Sequence, residues 1–354
     1  MDPAIDLLQR MVRSESVSGN EARCVALYAE FAEHHGFSPV IDGRNVFFER
    51  RRNDGPALLL NSHVDTVKAG PTWTRDPWDG AIEEDRLHGL GANDAKGSVA
   101  AQFGAALLLE QQGFEGNLVV CASCDEETGG EGMERIQHDL PPYDAALIGE
   151  PNDFAVAAGQ RGLVKVRIHV PGIRAHASRP WQGSNAIHAA ARVIAALEAP
   201  HLNVPGDLTR ATVQVTMIDG GTQSNVVADA CTLTVDCRTT PEFDNAAMLR
   251  HLHNAADETG ARIEKISDRF RPVHTPTDVP LVQAALESTG HAEPTVFPSV
   301  CDLFWVSHVP ALVMGPGQPE RSHRADEFIR IPEVLDGVRT YADIARRWWE
   351  RATH

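Results

Sequence analysis

The chain reads as an α/β protein, with a mostly parallel sheet carrying an inserted ferredoxin-like β-α-β-β-α-β domain. Three observations predict this. Through the first ~160 residues, short and wholly apolar runs alternate with helical stretches, as doubly covered strands and their crossover helices do. At about residue 163 the runs change to strict apolar–polar alternation, the mark of strands with one wet face. Beyond about residue 272 the first style returns. The expected division is a discontinuous α/β domain over 1–162 and 272–354, interrupted by an inserted domain over 163–271.

Taken in order, MDPAIDLLQRMVRSES predicts an N-terminal helix with Asp2 as N-cap and Pro3 at the first helical position. Ile5, Leu8, Met11 and Val12 share one face of it. Its charges and its lack of a small-residue cleavage site set it apart from a signal peptide. ALLLNSH (57–63) is a short buried strand, and KGSVAAQFGAALLLEQQG (96–113) is a helix stopped by Gly113. NLVVCAS (117–123) and YDAALIGE (143–150) are strands again. In the insert, LVKVRIHV (163–170) sets Val164, Val166, Ile168 and Val170 against Lys165, Arg167 and His169. Helix SNAIHAAARVIAALEA (184–199) follows, then strands ATVQVTMI (211–218) and CTLTVDCR (231–238). The second of these strands puts Cys231, Leu233, Val235 and Cys237 on one face. Helix AAMLRHLHNAADETG (246–260) and strand RIEKI (262–266) complete the pattern. PALVMG (310–315) is a buried strand, and a terminal helix begins at about Pro332.

The charge balance narrows the function. With 32 Lys+Arg against 49 Asp+Glu the net charge is −17, a surface that repels nucleic acids and anionic membranes. No apolar run approaches the ~20 residues of a membrane span. Six cysteines in 354 residues do not make a disulfide framework, and a cytoplasmic location is expected. GLGAND (89–94) lacks the third glycine of a dinucleotide fingerprint, and GANDAKGS (91–98) reverses the order of a P-loop. CASC (121–124) has no second pair, so Cys121 and Cys124 read as small core residues.

Five segments carry acids or histidines at strand ends. NSHVDTV sets His63 and Asp65 two apart, so the carboxylate can bond the imidazole from behind and fix its tautomer. Asp94 stands just before a helix, where taken alone it reads as an N-cap. SCDEETGGEG gathers Asp125, Glu126 and Glu127, which repel one another unless a cation is present. Glu150 ends a further strand, and His323 comes from a distant loop. Two histidines and three carboxylates (His63, Asp94, Glu127, Glu150, His323) suit a two-metal site. Borderline Zn²⁺ or Co²⁺ fits this mixed N/O set better than Mg²⁺ or Cu⁺.

With WTRDPWDG, RLHGLGANDAKG, IGEP, AHASRPWQGSNAI, SNVVADACTLTVDCR and GPGQPERSHRADE in the same order, the whole chain resembles one family. This is the co-catalytic zinc amidohydrolase and exopeptidase family of acetylornithine deacetylase, succinyl-diaminopimelate desuccinylase, aminoacylase-1 and carboxypeptidase G. The resemblance implies a metal-binding α/β domain with an inserted dimerisation or lid domain. It implies two Zn²⁺, with Co²⁺ as a substitute: His63 and Glu150 on one ion, Glu127 and His323 on the other, and Asp94 bridging. Asp65 would orient His63, and Glu126 would be the general base. His176 of AHAS would reach the active site of the partner subunit in a homodimer. Asn225 and Arg238 would hold the substrate carboxylate, the turn between them realigning the two; a surface ion pair is the other reading of Arg238.

WTRDPW (73–78) and SHRADEF (322–328) look most like acetylornithine-deacetylase-type members. The implied reaction is hydrolysis of a small N-acyl amino acid, first N-acetyl-L-ornithine, in arginine biosynthesis. Succinyl-diaminopimelate, N-acetylcitrulline, carrier-protein-linked lysine or ornithine, and peptides cut by a carboxypeptidase or dipeptidase are the alternative substrates. A non-catalytic metal-binding protein is the reading from another class, and the presence of Glu126 speaks against it. One departure stands out, because SVCDLF puts Cys301 before Asp302 where the family has Ser-Asp. With no histidine signature beside it, Cys301 reads as a packing or pocket-lining residue.

Overall fold

A computed structural model describes residues 1–354, apart from the side chain of Glu131. The chain divides into two compact units: Met1–Gly159, Thr275–Thr295 and Cys301–His354 form the first, and Gln160–His274 with Val296–Val300 the second. The first unit opens with α1 (Pro3–Val12), α2 (Ala22–His34), β1 (Val40–Asp42), β2 (Asn45–Arg50) and β3 (Ala57–His63). It continues with β4 (Ile82–Glu83), β5 (Arg86–His88), α3 (Lys96–Gln111), β6 (Asn117–Ser123), α4 (Glu131–Ile136), β7 (Ala145–Ile148) and β8 (Ala157–Gln160). The second unit follows as β9 (Gly162–Pro171), α5 (Ala186–Leu197), β10 (Thr212–Gly220), β11 (Ala230–Thr239), α6 (Asn245–Asp257) and β12 (Arg262–Ser267). Two short strands, β13 (Val273–His274) and β14 (Thr295–Phe297), lie where the chain changes units, with α7 (Pro280–Thr289) between them. The first unit then closes with α8 (Leu303–Val306), β15 (Ala311–Val313), β16 (Phe328–Arg330) and α9 (Ile331–Thr353).

The main sheet of the first unit runs β1-β2-β6-β3-β7-β15-β8. Its four central strands are parallel and the outer pairings are antiparallel. All seven residues of β3 and of β6 are buried, as the unbroken apolar runs predict for strands covered on both faces. At the N-terminus Asp2 caps α1 through Ala4 N–H at 2.9 Å, and Ile5, Leu8, Met11 and Val12 are buried. Helix α3 has no polar face, since nearly all of it is core. Small residues allow this: a Cβ at Gly104 would come within 2.6 Å of Val338 on α9, so only glycine permits that close approach. Phe103 is the centre of an aromatic cluster, with Tyr28, Phe31, Phe37 and Phe48 at centroid distances of 5.8, 5.4, 5.7 and 6.2 Å.

The second unit has the expected β-α-β-β-α-β order, and its sheet runs β10-β11-β9-β12 with every pairing antiparallel. Val164, Val166, Ile168 and Val170 of β9 and Cys231, Leu233, Val235 and Cys237 of β11 turn inward, under α5 and α6. Asn185 caps α5, accepting from Ile187 N–H at 2.9 Å. Residues 296–300, expected with the first unit, fall with the second: Arg161 N–H donates to Phe297 O at 3.1 Å and ties them there. All six cysteines are unbridged and buried, including Cys121 and Cys124. No helix is long and apolar enough to cross a membrane among the described residues.

The Phe103 cluster generates a stability prediction. Phe103→Ala removes a ring whose neighbours come from α2, the loop after it and β2, so the cavity cannot collapse. Urea unfolding should show a loss of about 3–5 kcal/mol, and Phe103→Leu should lose clearly less.

Candidate metal centre

The site belongs to the first unit and gathers at the carboxyl ends of its parallel strands, where such sheets leave a crevice. His63 is the last residue of β3. Glu126 and Glu127 lie in one 3₁₀ turn after β6, and Glu150 follows β7. Asp94 precedes α3, and His323, with φ +58°, lies in the loop before β16.

His63 Nδ1 donates to the Asp65 carbonyl at 3.0 Å, with Asp65 Oδ1 at 3.4 Å. A hydrogen on Nδ1 leaves the lone pair on Nε2. That nitrogen is buried and has no hydrogen-bond partner. It points at Asp94 Oδ1, 3.3 Å away, and Glu150 Oε2, 4.0 Å away. His323 Nε2 lies 2.9 Å from Glu127 Oε1 and 3.5 Å from Asp94 Oδ2. Asp94 thus turns one oxygen toward each histidine. Donor atoms of His63, Glu126 and Glu150, and again of His63, Asp94 and Glu127, lie within 4.8 Å of one another.

Two details differ from the sequence reading. The i, i+2 rule brings Asp65 behind His63, but β3 ends at His63, and the nearer acceptor is the Asp65 carbonyl. Its carboxylate is taken up by Ser18 Oγ at 2.7 Å and by the N–H groups of Glu126 and Glu127 at 3.1 and 3.2 Å. Asp94 is not an N-cap: that position belongs to Ala95, without a side-chain bond, and the Asp94–Ala95 peptide is cis.

The electrostatics show a pocket that draws positive charge. Burial pushes the Glu126 carboxyl well above its usual range, and the charge of Glu150 adds to this. Burial raises Glu150 in the same way, against the pull of His63. Burial alone would lower His63, yet Asp65 and Asp94 raise it, so a proton and a metal ion would compete for Nε2. The bond to Glu127 lifts His323 to about 9. Crowded carboxylates around a buried imidazole lone pair fit a divalent cation of borderline softness.

Several supporting residues escaped the sequence reading. Glu327 Oε1 accepts the N–H groups of Asn93 and Asp94 at 2.8 and 3.0 Å, which fixes the loop of Asp94. Burial, then the charge of Asp94, push Glu327 to about 8. It lies in SHRADEF, four residues after His323, where its acidity was the only signal. Asp302 Oδ2 accepts from Ser123 Oγ at 2.7 Å and Asn61 Nδ2 at 3.0 Å, and burial raises it to about 6. Cys301 beside it is 4% exposed, and burial pushes its thiol well up, the condition of a packing cysteine rather than a nucleophile.

His176, Asn225 and Arg238 belong to the second unit. His176 Nδ1 accepts the Ser178 N–H at 3.1 Å, so the ring hydrogen sits on Nε2, ready to donate. Asn225 O accepts the Ala177 N–H at 2.9 Å, which makes His176 and Asn225 neighbours beyond the paired ends Pro171 and Ala230. Arg238 lies near the other end of β11, roughly 26 Å from Ala230 at ~3.3 Å per residue. The expected realignment of Asn225 with Arg238 therefore does not occur within one chain, because the segment after Asn225 runs directly into β11. Arg238 Nε donates to Asp236 Oδ1 at 2.9 Å. Beside it stands Arg161, 7% exposed, held by Arg210 O and Thr212 Oγ1 at 2.9 and 3.1 Å, with its Nε buried and unpartnered. Burial, then the charge of Arg238, lower its pKa.

Residues 59–347 match the family described as Peptidase family M20/M25/M40. A Mycobacterium tuberculosis protein named for succinyl-diaminopimelate desuccinylase is 31% identical over 358 residues, 98% of each chain. An Emericella nidulans protein named as a carboxypeptidase is 28% identical over 394 residues, 99% of this chain and 90% of its own. The solved M20 metallo-carboxypeptidase of Sulfolobus solfataricus shares the fold with TM-score 0.79, at 18% identity over 99% of this chain and 100% of its own. The chain belongs to peptidase family M20/M25/M40 and is a metal-dependent hydrolase.

Proposed function

We propose that the chain hydrolyses the amide bond of a small N-acyl amino acid, with N-acetyl-L-ornithine the first substrate to try, as a cytoplasmic step of arginine biosynthesis. The observation that carries the chemistry is the buried, unpartnered His63 Nε2 facing Asp94, which turns its second oxygen to His323, with Glu126 alongside. The ornithine preference rests on WTRDPW and SHRADEF. A second reading, an N-succinyl or other dicarboxylate substrate, draws support from the 31% identical relative and from Arg161 beside Arg238, a second cation for a second carboxylate. Carboxypeptidase-type cleavage of a short peptide shares the same requirement for a free α-carboxylate.

In this reading His63, Asp94, Glu127, Glu150 and His323 would hold two zinc ions, with His63 and Glu150 serving one, Glu127 and His323 the other, and Asp94 placed between the two histidines. When bound, the ions supply Lewis acidity and lower the pKa of the attacking water. Glu126 takes the proton of that water as it adds to the amide carbonyl, then passes it to the leaving nitrogen. His176 donates from Nε2 to the developing oxyanion. Arg238 grips the planar α-carboxylate with its guanidinium fork, and Asn225 adds an amide donor.

His176 and Asn225 lie at one end of the inserted sheet and Arg238 at the other, so one substrate meets all three only if two copies contribute. A homodimer through the insert also accounts for the edge strand β10, which exposes Met217 (67%) and Ile218 (57%) near the exposed Ile187.

The first test is a turnover panel of N-acetyl-ornithine, N-acetyl-citrulline, N-succinyl-diaminopimelate, carrier-linked lysine and dipeptides with Zn²⁺ or Co²⁺. N-acetyl-ornithine should be turned over best, and turnover of none would sink the reading. Glu126→Gln keeps its shape but cannot accept a proton, so its metal content should persist while kcat falls by roughly 10²–10⁴. Glu127→Ala, by contrast, should bind less than the wild-type amount of metal, and full occupancy with full turnover would remove Glu127 from the ligand set.

Arg238→Lys retains charge but loses the fork, so kcat/KM should drop for an N-acyl amino acid and hardly change for an N-acylated amine without the carboxylate. Equal losses on both would return Arg238 to a surface ion pair with Asp236. Mixing His176→Ala chains with Glu126→Gln chains should restore activity that neither has alone, since one site of the heterodimer keeps both residues. A fully active monomer by light scattering would end that part of the reading.

A further inference from the structure

Four consecutive backbone N–H groups at the mouth of β6 end on side chains. Cys124 N–H donates to Asn45 Oδ1 at 2.9 Å and Asp125 N–H to Glu21 Oε1 at 3.3 Å, while Glu126 and Glu127 N–H go to Asp65. The chain turns through Asp125, which takes a left-handed φ of +54°, uncommon for any residue with a Cβ. The turn is closed by Gly130 N–H on Asp125 O at 2.7 Å.

Arg44 spans the two acids of this turn. It occupies the second position of the tight β1–β2 hairpin, after Gly43 at φ +62°, with Asp42 and Asn45 paired across it. Its Nη1 meets Glu21 Oε2 at 2.5 Å and its Nη2 bonds Asp125 Oδ2. The Glu21 side chain is wholly buried, Asp125 is nearly so, and Arg44 remains one third exposed. Glu21 also takes the Gly19 N–H at 2.9 Å, beside Ser18, which bonds Asp65. Glu21, Cys124 and Asp125 could in themselves hold a cation, but the guanidinium is already that cation.

We propose that Arg44 is a positioning residue: by bridging Glu21 and Asp125 it holds the left-handed turn that aims Glu126, the general base, without touching substrate. Removing it leaves two buried carboxylates side by side, and their repulsion is relieved most easily by opening the turn next to Glu126. Misplacing a base by about 1 Å costs on the order of 10² in rate. Substrate groups elsewhere are untouched, so KM should hold.

The test compares Arg44→Ala, Arg44→Lys and Asp125→Asn as metal-loaded enzymes. Arg44→Ala should lose roughly ten- to a hundredfold in kcat with KM and metal content unchanged. Free guanidinium at sub-denaturing concentration should restore a large part of that loss, because Arg44 lines a surface cleft of about 280 Å³ that its removal would open further. Equal sodium chloride should not. Lysine reaches one acid only and should fall between. If Arg44→Ala does not fold, Asp125→Asn carries the test alone: asparagine accepts the left-handed turn but weakens the bridge, so kcat should drop at constant KM.

Wild-type kcat in Arg44→Ala, or a loss that guanidinium leaves untouched, overturns the inference. For Asp125→Asn, wild-type kcat does the same. The inference rests on Glu126 as base, and Glu126→Gln run in parallel separates the two. An active Glu126→Gln removes the base assignment and this inference with it, whereas an inactive one beside a fully active Arg44→Ala removes only the role of Arg44.

Discussion

Asp65 supports more of this site than any residue that turns a donor atom into it. Its carbonyl fixes the hydrogen of His63 on Nδ1, and its carboxylate takes Ser18 and the two amides of Glu126 and Glu127. Burial would raise that carboxyl, yet the bonds to His63, Ser18 and the Glu127 amide hold it below the usual range. An ionised, fully satisfied carboxylate in the interior is stable only with all of its partners in place. One residue therefore sets both the tautomer of His63 on β3 and the path of the loop leaving β6. The two strands are adjacent and parallel, with His63 opposite Ser123, so the link needs no long reach.

The same economy governs the rest of the centre. Parallel strands release their chains at one edge, and the acids that follow them meet there without any strand bending. The cost is crowding: Asp94, Glu126, Glu127 and Glu150 would repel one another across a few ångströms. The protein answers with buried supports that carry no ligand role. Glu327 holds the Asp94 loop by two amides, Asp302 ties Asn61 to Ser123 below the site, and Glu21 grips the turn at Asp125. Lys96, buried at the start of α3 and bonded to Met11 O and Ser14 O at 3.0 and 3.3 Å, anchors α1 to the helix behind Asp94.

What could be read from the sequence followed the regularity of the signal. ALLLNSH and NLVVCAS match β3 and β6 residue for residue, since a short apolar run between turn residues leaves little choice of ends. The insert was legible because the strict alternation of its two central strands, β9 and β11, admits one buried face. His63, Asp94, Glu126, Glu127, Glu150 and His323 come together because each stands at a strand end or in the loop beside it. The supports were not legible: Glu21, Arg44 and Glu327 look like ordinary surface charges, and only the folded chain brings Arg44 to Asp125, far along the sequence. Long-range pairing of that kind leaves no local period to detect.

The Asn225–Arg238 pair shows the opposite limit. Residue chemistry singles out groups of the kind that can hold a carboxylate, but spacing along a chain says little about distance once a strand begins between two residues. Here β11 carries them apart, and the turn before it has no means of bringing them back. A clamp made of both then becomes an argument about assembly rather than about one chain, because the separation built into β11 equals the length of the strand itself. The position of His176 beside Asn225 sharpens this: the two travel together, and Arg238 with Arg161 forms the opposite, cationic end. A sheet with unlike chemistry at its two ends and an apolar edge strand along its side has what two-fold pairing would need for each copy to offer one end to each substrate.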